Sequence, residues 1–423
     1  MVEPTQISFC MIFLKKSYTT NFLYDGLNTS RFASARTQNS IQKEANLAME
    51  PYTPDALPLQ NLDYGQLITL VGEANSKLAE YSGLLQGIVN PDVMLSPLTQ
   101  QEAVLSSKIE GTQATVEEVL EREAGQKFDS RKNEDINEIL NYRKALMLSQ
   151  DYLRDGRPIT LSLLLQLHGI LLDSVRGQNK SPGQFRKEQN WIGRANCDIE
   201  QATFVPPNPL QLPNYLEAWE HYLKHSDFDV LAQAAIVHAQ FELLHPFQDG
   251  NGRIGRLLIP LFLFSKQRLS SPMFYLSEYI ESHRDEYYQR LAAISQQADW
   301  TGWIKFFLGG IIEQAETNLL RVRRIMALYE ITKAWIRETT HSQHATLLLD
   351  GIFDRPIFST SDFAKWTGIQ RQTLHGLLRQ LVQDDGPLIV IKEGQGSRAA
   401  IYAFPELLNI CEGRDVFPTT NNG

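Results

Sequence analysis

Hydrophobic residues recur at helical spacing along most of the chain. Residues 62–81 form one such stretch, and Gly83 is expected to close it. A second helix is predicted over residues 99–111, because Val104, Leu105 and Ile109 fall on one side. Further helices are predicted over residues 129–153, 161–173, 229–244, 254–264, 299–308 and 321–337. The pattern therefore predicts a mainly α protein.

Strand patterns occur at two places. Residues 190–192 and 202–205 predict two short strands that flank residues 193–201, and Pro206 and Pro207 close this hairpin-like flap. Near the C terminus, residues 387–391 and 400–404 are apolar and enclose a polar segment, which predicts a second β-hairpin. Three predicted helices precede that hairpin, over residues 345–351, 359–367 and 371–383. This order of elements indicates a winged-helix domain.

The third of these helices carries polar side chains that could read DNA. They are Gln370, Arg371, Gln372, His375 and Arg379. Few of them are basic, although a DNA-binding face is expected to be basic. Packing against a protein, or a dimer contact, is the alternative, and both interpretations stay open.

Composition narrows the class of protein. Of 423 residues, 43% are hydrophobic and 21% are charged, as in soluble proteins of two or three domains. The net charge of −9 gives no overall attraction to nucleic acid or an anionic membrane. Cys10, Cys197 and Cys411 lie far apart without metal-binding spacing, so we expect free thiols in a reducing, cytoplasmic compartment. No apolar run reaches the roughly eighteen residues of a membrane span.

Residues 1–48 differ from the rest of the chain. They are polar and irregular, and their one apolar patch has neither a preceding basic region nor a cleavage site for a signal peptide. A second methionine follows at Met49. We expect residues 1–48 to be a disordered extension or a consequence of start-site choice.

The main candidate for chemistry is residues 245–256, which read His-Pro-Phe-Gln-Asp-Gly-Asn-Gly-Arg-Ile-Gly-Arg. Gly250 and Gly252 are expected to adopt positive φ around Asn251, so that successive N–H groups form an anion-binding nest. The nest would lie at the N terminus of the helix predicted over 254–264, where the helix dipole favours phosphate.

Charged side chains in the same stretch strengthen this interpretation. Arg253 and Arg256 lie three residues apart on one face, and guanidinium groups match phosphate oxygens. Asp249 is a hard oxygen ligand suited to Mg²⁺, which binds one or two carboxylates together with nucleotide phosphates. His245 follows the preceding helix and could act as a general base. The stretch therefore predicts a polyphosphate site.

These residues resemble the His-x-Phe-x-Asp/Glu-Gly-Asn-Gly-Arg-x-x-Arg signature of the Fic family of AMP transferases at every defined position. The resemblance implies a Fic-type helical core in which His245 deprotonates a Ser, Thr or Tyr hydroxyl of a target protein. That hydroxyl would attack the α-phosphate of ATP and release pyrophosphate. The related Doc branch, which resembles a kinase, carries Lys at the position of Gly252, so transfer of AMP is favoured over transfer of phosphate.

The resemblance also implies further roles. Asp249 would hold Mg²⁺ on the α- and β-phosphates, and Arg253 and Arg256 would meet the β- and γ-phosphates. The remaining expected nucleotide contacts are Phe247, Gly250, Asn251, Gly252 and Tyr288. Asn251 and the glycine amides would surround the α-phosphate, and Tyr288 would stack on adenine. The ring of Phe247 is expected to point into the core.

A second motif lies in the helix predicted over residues 99–111. Ser106 and Glu110 are four residues apart and share a face, and Gly111 suits the end of a helix. A lone Glu at a helix end is usually just solvated. Beside the first motif, however, these residues resemble the family's inhibitory signature. The resemblance implies that Glu110 pairs with Arg256 and takes the cation that the γ-phosphate needs.

Other roles follow from the resemblance alone. The flap, including Ile192 and Gly193, would pair with a target segment by strand addition. Arg186 would support the active-site loop. We expect an autoinhibited, self-modifying protein adenylyltransferase. The alternatives are a winged-helix transcriptional or toxin–antitoxin-type regulator, and a bifunctional enzyme that also removes AMP.

The domain organisation expected from these patterns has five parts after the extension. They are N-terminal helices with the inhibitory motif (49–125), the catalytic core (126–315), a helical connector (316–340), the winged helix (341–410) and a tail (411–423). A homodimer is left open, and no membrane association is expected.

Overall fold

The computed structural model describes residues 50–194, 197–383, 385–394 and 399–417. The extension predicted over residues 1–48, together with Cys10, lies outside the described residues, so the prediction about it stays a prediction. Cys197 and Cys411 are free, as predicted. Among the residues described, none of the helices combines the length and apolar content that crossing a bilayer requires.

The chain is mainly helical, as the hydrophobic pattern predicts. The helices up to the first motif are α1 (Ile68–Gln86), α2 (Pro91–Met94), α3 (Ser96–Ile109), α4 (Val116–Glu123), α5 (Ser130–Arg154), α6 (Leu161–Leu171), α7 (Leu212–Lys224) and α8 (Val230–Leu244). They are followed by α9 (Asn251–Ser265), α10 (Ser277–Ser282), α11 (Arg284–Gln297) and α12 (Trp300–Thr340). Single 3-10 turns lie at Tyr64–Gln66 and Ile199–Gln201.

The centre of the core is the pair α8 and α9. Helix α8 is buried on nearly all sides, as expected of a helix that other helices surround, and it packs against α7, α9 and α12. Its N terminus is capped by Asp229, whose Oδ1 accepts the N–H groups of Leu231 (2.8 Å) and Ala232 (3.0 Å). The Trp303 indole of α12 donates to the Ala235 carbonyl of α8 at 2.8 Å. These contacts fix the direction of α8 and therefore the position of the motif at residues 245–256, which follows it.

Helix α12 differs from the prediction. Separate helices were expected over residues 299–308 and 321–337, but one helix of 41 residues runs through both. Gly309 and Gly310, which look like a break in the sequence, are helical. A Cβ on Gly310 would lie 2.6 Å from two atoms of the Tyr279 ring, so this glycine serves close packing rather than a turn. The boundary expected at residues 315 and 316 therefore lies inside a continuous helix.

The C-terminal part contains α13 (Ala345–Asp354), β1 (Ile357–Ser359), α14 (Thr360–Thr367), α15 (Arg371–Leu381), β2 (Ile389–Lys392), β3 (Ile401–Ala403) and α16 (Pro405–Glu412). The strands form an antiparallel sheet in the order β1-β3-β2. Ile357 pairs with Ala403 across β1 and β3, and Val390 pairs with Tyr402 across β2 and β3. The predicted helices and hairpin are thus present, whereas β1 was missed because three residues are too few to show alternation.

The assignment of this part as a winged helix stays a prediction, as does DNA binding. On α15 the side chains of Arg371, Gln372, His375 and Arg379 are exposed. Helix α3, which carries the second motif, packs against α13 and α16 of the C-terminal part and against α5 and α10 of the core. The Ser96 hydroxyl donates to the Asp354 carbonyl at 3.1 Å. The second motif is thus held between the two parts of the chain.

Candidate active site

His245 lies at the end of α8, where the backbone turns sharply. Its φ of +46° is in the left-handed region, which is uncommon for a residue with a side chain. Buried Arg186 holds the turn by donating from Nε to the His245 carbonyl (2.9 Å) and from Nη2 to the Pro207 carbonyl (2.6 Å). Arg186 thus contacts the loop that it was expected to support.

The tautomer of the His245 ring follows from its one backbone contact. Nδ1 lies 3.3 Å from the Glu242 carbonyl oxygen. Since a carbonyl only accepts, Nδ1 carries the proton and donates it, which leaves Nε2 with a free lone pair. Burial lowers the pKa of His245 to about 4, although the nearby carboxylates of Glu110 and Asp249 act in the opposite direction. The imidazole is therefore neutral at neutral pH and can accept a proton.

The loop between α8 and α9 is closed by Asn251. Its Oδ1 accepts the Phe247 N–H (2.8 Å) and its Nδ2 donates to the Phe247 carbonyl (2.9 Å). These two bonds fix the loop, and the expected contact of Asn251 with the α-phosphate stays a prediction. The Phe247 ring is fully buried and stacks on His168, with centroids 3.9 Å apart. It points into the core, so its side chain cannot contact a nucleotide.

Of the two glycines expected at positive φ, only Gly250 has it, with φ +79° immediately before α9. Gly252 lies inside α9, so the expectation of positive φ there is wrong. A Cβ on Gly252 would collide with Glu110 Oε1 and lie 2.9 Å from Arg256 Nη1. Gly252 is needed because another side chain approaches the helix backbone closely, rather than for its conformation.

Arg253 is buried between two carboxylates. Its Nη1 lies 3.4 Å from Glu138 Oε2 on α5, and its Nη2 lies 3.5 Å from Asp249 Oδ1. Glu138 is 1% exposed, and burial raises its pKa while Arg253 and Arg176 oppose that shift. Sequence reasoning missed Glu138 as a site residue, because a Glu in a polar helix carries no signal of burial.

Asp249 is the candidate metal ligand. Its side chain is 39% exposed, and Oδ1 accepts the Gly250 N–H at 2.6 Å. Among the described residues no group of three or more His, Cys, Asp or Glu could hold a metal ion by itself. A single accessible carboxylate fits a Mg²⁺ ion that takes its other ligands from nucleotide phosphates and water.

Arg256 is 3% exposed and contacts both residues of the second motif. Nε donates to Ser106 Oγ (2.9 Å), and Nη2 donates to the Ser106 carbonyl (2.8 Å) and to Glu110 Oε1 (2.8 Å). Burial alone would raise the pKa of Glu110, but the charges of Arg256 and Arg253 hold it below its usual value. Gly111, at φ +101°, turns the chain away after Glu110. The structure thus places an ionised carboxylate on Arg256.

His245 lines a cavity of about 480 Å³. Glu110, Gly252 and Arg256 line one side, and Tyr288 and Leu291 of α11 line another. Ile192 and Gly193 of the flap also line it. The two strands predicted in the flap are reduced to a single bridge between Ile192 and Phe204, with the Ile192 N–H donating to the Phe204 carbonyl at 2.8 Å. The cavity thus brings together the expected base with Gly252, Arg256, Tyr288 and the flap residues. Asp249, Gly250, Asn251 and Arg253 are not among its lining residues.

Glu242 lines the cavity and is a second residue that sequence reasoning missed. It lies near the end of a buried helix that also carries Gln233, His238 and Gln240, so no pattern in the sequence distinguishes it. His238, one turn earlier on α8, packs in the core, with Nε2 2.9 Å from the Tyr287 hydroxyl.

Comparisons with known proteins agree with this geometry. The Fic/DOC family N-terminal model matches residues 68–151, and the Fic/DOC family model matches residues 158–263. A probable protein adenylyltransferase of Aquifex aeolicus is 28% identical over 193 residues, which cover 45% of this chain and 56% of that protein. The protein adenylyltransferase Fic of Drosophila virilis is 32% identical over 141 residues, which cover 32% of this chain and 26% of that protein. The chain thus spans about half of the first relative and about a quarter of the second.

Among solved structures, a Fic family protein from Desulfovibrio desulfuricans G20 aligns with a TM-score of 0.51 at 21% identity. The alignment covers 84% of this chain and 98% of that protein. At this identity the likeness shows a common fold.

Proposed function

The chain belongs to the Fic/DOC family, and on this basis we propose that it is a protein adenylyltransferase that transfers AMP from ATP to a hydroxyl side chain of a protein. The observation that carries the proposal is the neutral His245 imidazole, whose free Nε2 shares one cavity with the N-terminal turn of α9 and with Arg256. Such an arrangement suits a reaction that depends on positioning and charge stabilisation.

The proposed reaction begins with the target hydroxyl. His245 Nε2 accepts its proton, and the oxygen attacks the α-phosphorus of ATP. The new O–P bond forms as the bond from the α-phosphorus to the oxygen bridging to the β-phosphate breaks. Pyrophosphate leaves, and AMP stays on the target. A ring that already donates from Nδ1 to the Glu242 carbonyl is oriented for this proton transfer.

The negative charge of the triphosphate would meet several fixed groups. Gly250 and the main-chain N–H groups at the N terminus of α9 form the phosphate cradle, and Arg253 and Arg256 extend it. Asp249 would hold Mg²⁺, which neutralises phosphate charge when it is bound. Arg253 is pre-oriented by Glu138 and Asp249, so little conformational entropy is lost when it binds phosphate.

In the proposed resting state, Glu110 restrains the enzyme. Its carboxylate occupies Arg256 Nη2, the group that a γ-phosphate would need. ATP must therefore displace Glu110 before its phosphates reach a productive position. The target segment would bind along the flap, where the main chain of Ile192 and Gly193 borders the cavity.

The test is incubation of a cell lysate with the protein, α-labelled ATP and Mg²⁺. Label is expected on protein, including the enzyme itself, more strongly with Glu110→Gly and not with His245→Ala. An inert Glu110→Gly variant that binds DNA tightly would instead support a transcriptional regulator. A target protein that already carries AMP should be incubated with each enzyme. If it loses AMP faster with the wild-type enzyme than with Glu110→Gly, the result would support net removal of AMP.

A further inference from the structure

Glu242 lies one turn before His245 on α8, and its side chain lines the same cavity. Its Oε1 is buried and, among the described residues, has no hydrogen-bond partner. The carboxyl group rests on the backbone of α9, because a Cβ on Gly255 would collide with Oε1. A buried polar atom without a partner costs free energy, and a ligand in the cavity that bonds to it would recover that cost.

The surroundings decide the form of this carboxyl group. Arg256 is the cation on the facing helix, and it is already bonded to Ser106 and Glu110. Burial therefore raises the pKa of Glu242 to about 8, although Arg256 acts against this shift. At neutral pH the group is mainly a carboxylic acid, with one O–H donor and one carbonyl acceptor side by side.

We propose that the Glu242 carboxyl group recognises the base of the bound nucleotide and selects adenine over guanine. The inference rests on the proposed function, since it requires ATP in this cavity. Adenine presents a ring nitrogen acceptor beside an amino donor, whereas guanine presents two acceptors on the corresponding edge. A carboxylic acid pairs with both groups of adenine. Against guanine its carbonyl faces another acceptor, which costs affinity.

The neighbouring side chains suit a base at this position. Leu243, Tyr288 and Leu291 line the cavity with Glu242, so an aromatic ring could pack between apolar surfaces and exclude water. Exclusion of water strengthens the hydrogen bonds of the carboxyl group.

The pKa values of the groups around Glu242 differ from its own, so an effect of pH near 8 can be assigned to Glu242. The groups around it are Arg256 on α9, Glu110 after α3, Tyr287 and Tyr288 on α11, and His238 and His245 on α8 itself. Burial lowers the pKa of His238 to about 3 and that of His245 to about 4, and it raises the pKa of both tyrosines. The pKa of Glu110 is lowered, and that of Arg256 is raised. Glu242 is thus the member of this group that titrates near pH 8.

The test is calorimetric titration of Mg-ATP and Mg-GTP into the full chain with Glu110→Gly, which frees the pocket. Glu242→Leu should weaken ATP binding about tenfold, as expected for a lost pair of buried hydrogen bonds, and should not weaken GTP binding. Glu242→Gln keeps one donor and one acceptor and should hold ATP within about threefold. Glu73→Gln, on the exposed side of α1, is the matched control and should change neither nucleotide.

A second measurement does not depend on how the variants fold. With Glu242 intact, the affinity for ATP should fall as rising pH ionises the carboxyl group, because the carboxylate has no donor for the ring nitrogen. With Glu242→Gln the affinity for ATP should not show this fall. An unchanged ratio of ATP to GTP affinity in Glu242→Leu, or an equal loss for both nucleotides, would overturn the proposal. Comparison with deoxy-ATP tests for a contact with the ribose. If Glu242→Leu weakens the binding of ATP but not of deoxy-ATP, Glu242 contacts the ribose hydroxyls, and the proposal is overturned.

Failure of the proposed function is distinguishable from failure of this inference. A protein that transfers label from ATP but shows no role of Glu242 in base selection contradicts only the inference. A protein that neither binds ATP nor transfers label contradicts the proposed function.

Discussion

Replacing Glu110 with Gly removes the carboxylate that occupies Arg256, and the structure allows the effect to be worked out. One charged hydrogen bond of 2.8 Å is lost. Such a bond is worth about 1.5–3 kcal/mol when buried. The Glu110 side chain is 33% exposed, so solvent screens the pair, and we expect a loss of about 1–2 kcal/mol.

The same free energy sets the expected gain in activity. ATP must break this contact before its γ-phosphate can reach Arg256, so the contact adds to the barrier. Removing about 1–2 kcal/mol corresponds to a rate increase of about five- to thirtyfold. The increase is expected in AMP transfer at limiting ATP, because the barrier lies in productive binding of the nucleotide.

The loss of stability should be modest. Arg256 keeps its bonds to the Ser106 hydroxyl and carbonyl in the variant, so the guanidinium is not left unpaired. We expect the free energy of unfolding to fall by about 1–2 kcal/mol and Tm to fall by about 1–4 °C. A much larger fall would mean that Glu110 is mainly a structural partner of Arg256.

Initial rates of label transfer from α-labelled ATP, measured with a thermal melt on the same preparation, test this reasoning. Glu281→Ala is the matched control, since Glu281 pairs with Lys108 of the same helix α3 at 3.4 Å, away from Arg256. Its rate should stay within about twofold of that of the unmodified chain, as expected for a surface pair. A Glu110→Gly rate less than twice that of the unmodified chain, with unchanged ATP affinity, would refute the inhibitory role.

Three further predictions follow from other contacts of the site. His245→Ala should abolish label transfer and leave the Kd for Mg-ATP within about threefold, because the ring supplies a base rather than a phosphate contact; calorimetry beside the transfer assay checks both. The pKa of His245 is lowered to about 4, so the base form persists above that value, and kcat/KM should hold steady from neutral pH down to about pH 5; an acid limb near 6.5 in the pH–rate profile would contradict this. Arg186→Ala removes bonds to the His245 and Pro207 carbonyls and should lower the free energy of unfolding by about 2–4 kcal/mol, measured by denaturant unfolding, with Arg186→Lys in between.

Much of the fold could be predicted because its signals are local. Asp229 caps α8, and Thr160 caps α6 by accepting the Leu163 N–H, and both patterns are visible in the sequence. The continuous α12 could not be predicted, because a glycine required by the Tyr279 ring looks the same as a glycine that ends a helix. Strand β1 and the single flap bridge are too short for a period of two to show.

The candidate site also has a part that the sequence predicts and a part that it does not. His245, Asp249, Arg253 and Arg256 stand within one short stretch, so spacing alone brings them together. Their partners come from distant segments. Glu138 reaches Arg253 across 115 residues, and no pattern around it distinguishes it from a solvated Glu on a polar helix. The role of Gly252 was misjudged for the same reason, since the close approach of Glu110 is visible only in three dimensions.

Two glycines of α9 now have a common explanation. Gly252 leaves room for the Glu110 carboxyl group, and Gly255, three residues on, leaves room for that of Glu242. Both carboxyl groups act on Arg256, yet one cation cannot stabilise two buried anions equally. Glu110, which is bonded to it, has a lowered pKa, while Glu242, which is not, has a raised one. A γ-phosphate that replaces Glu110 would therefore meet a cation beside a neutral acid. A second carboxylate at that position would instead repel the phosphate.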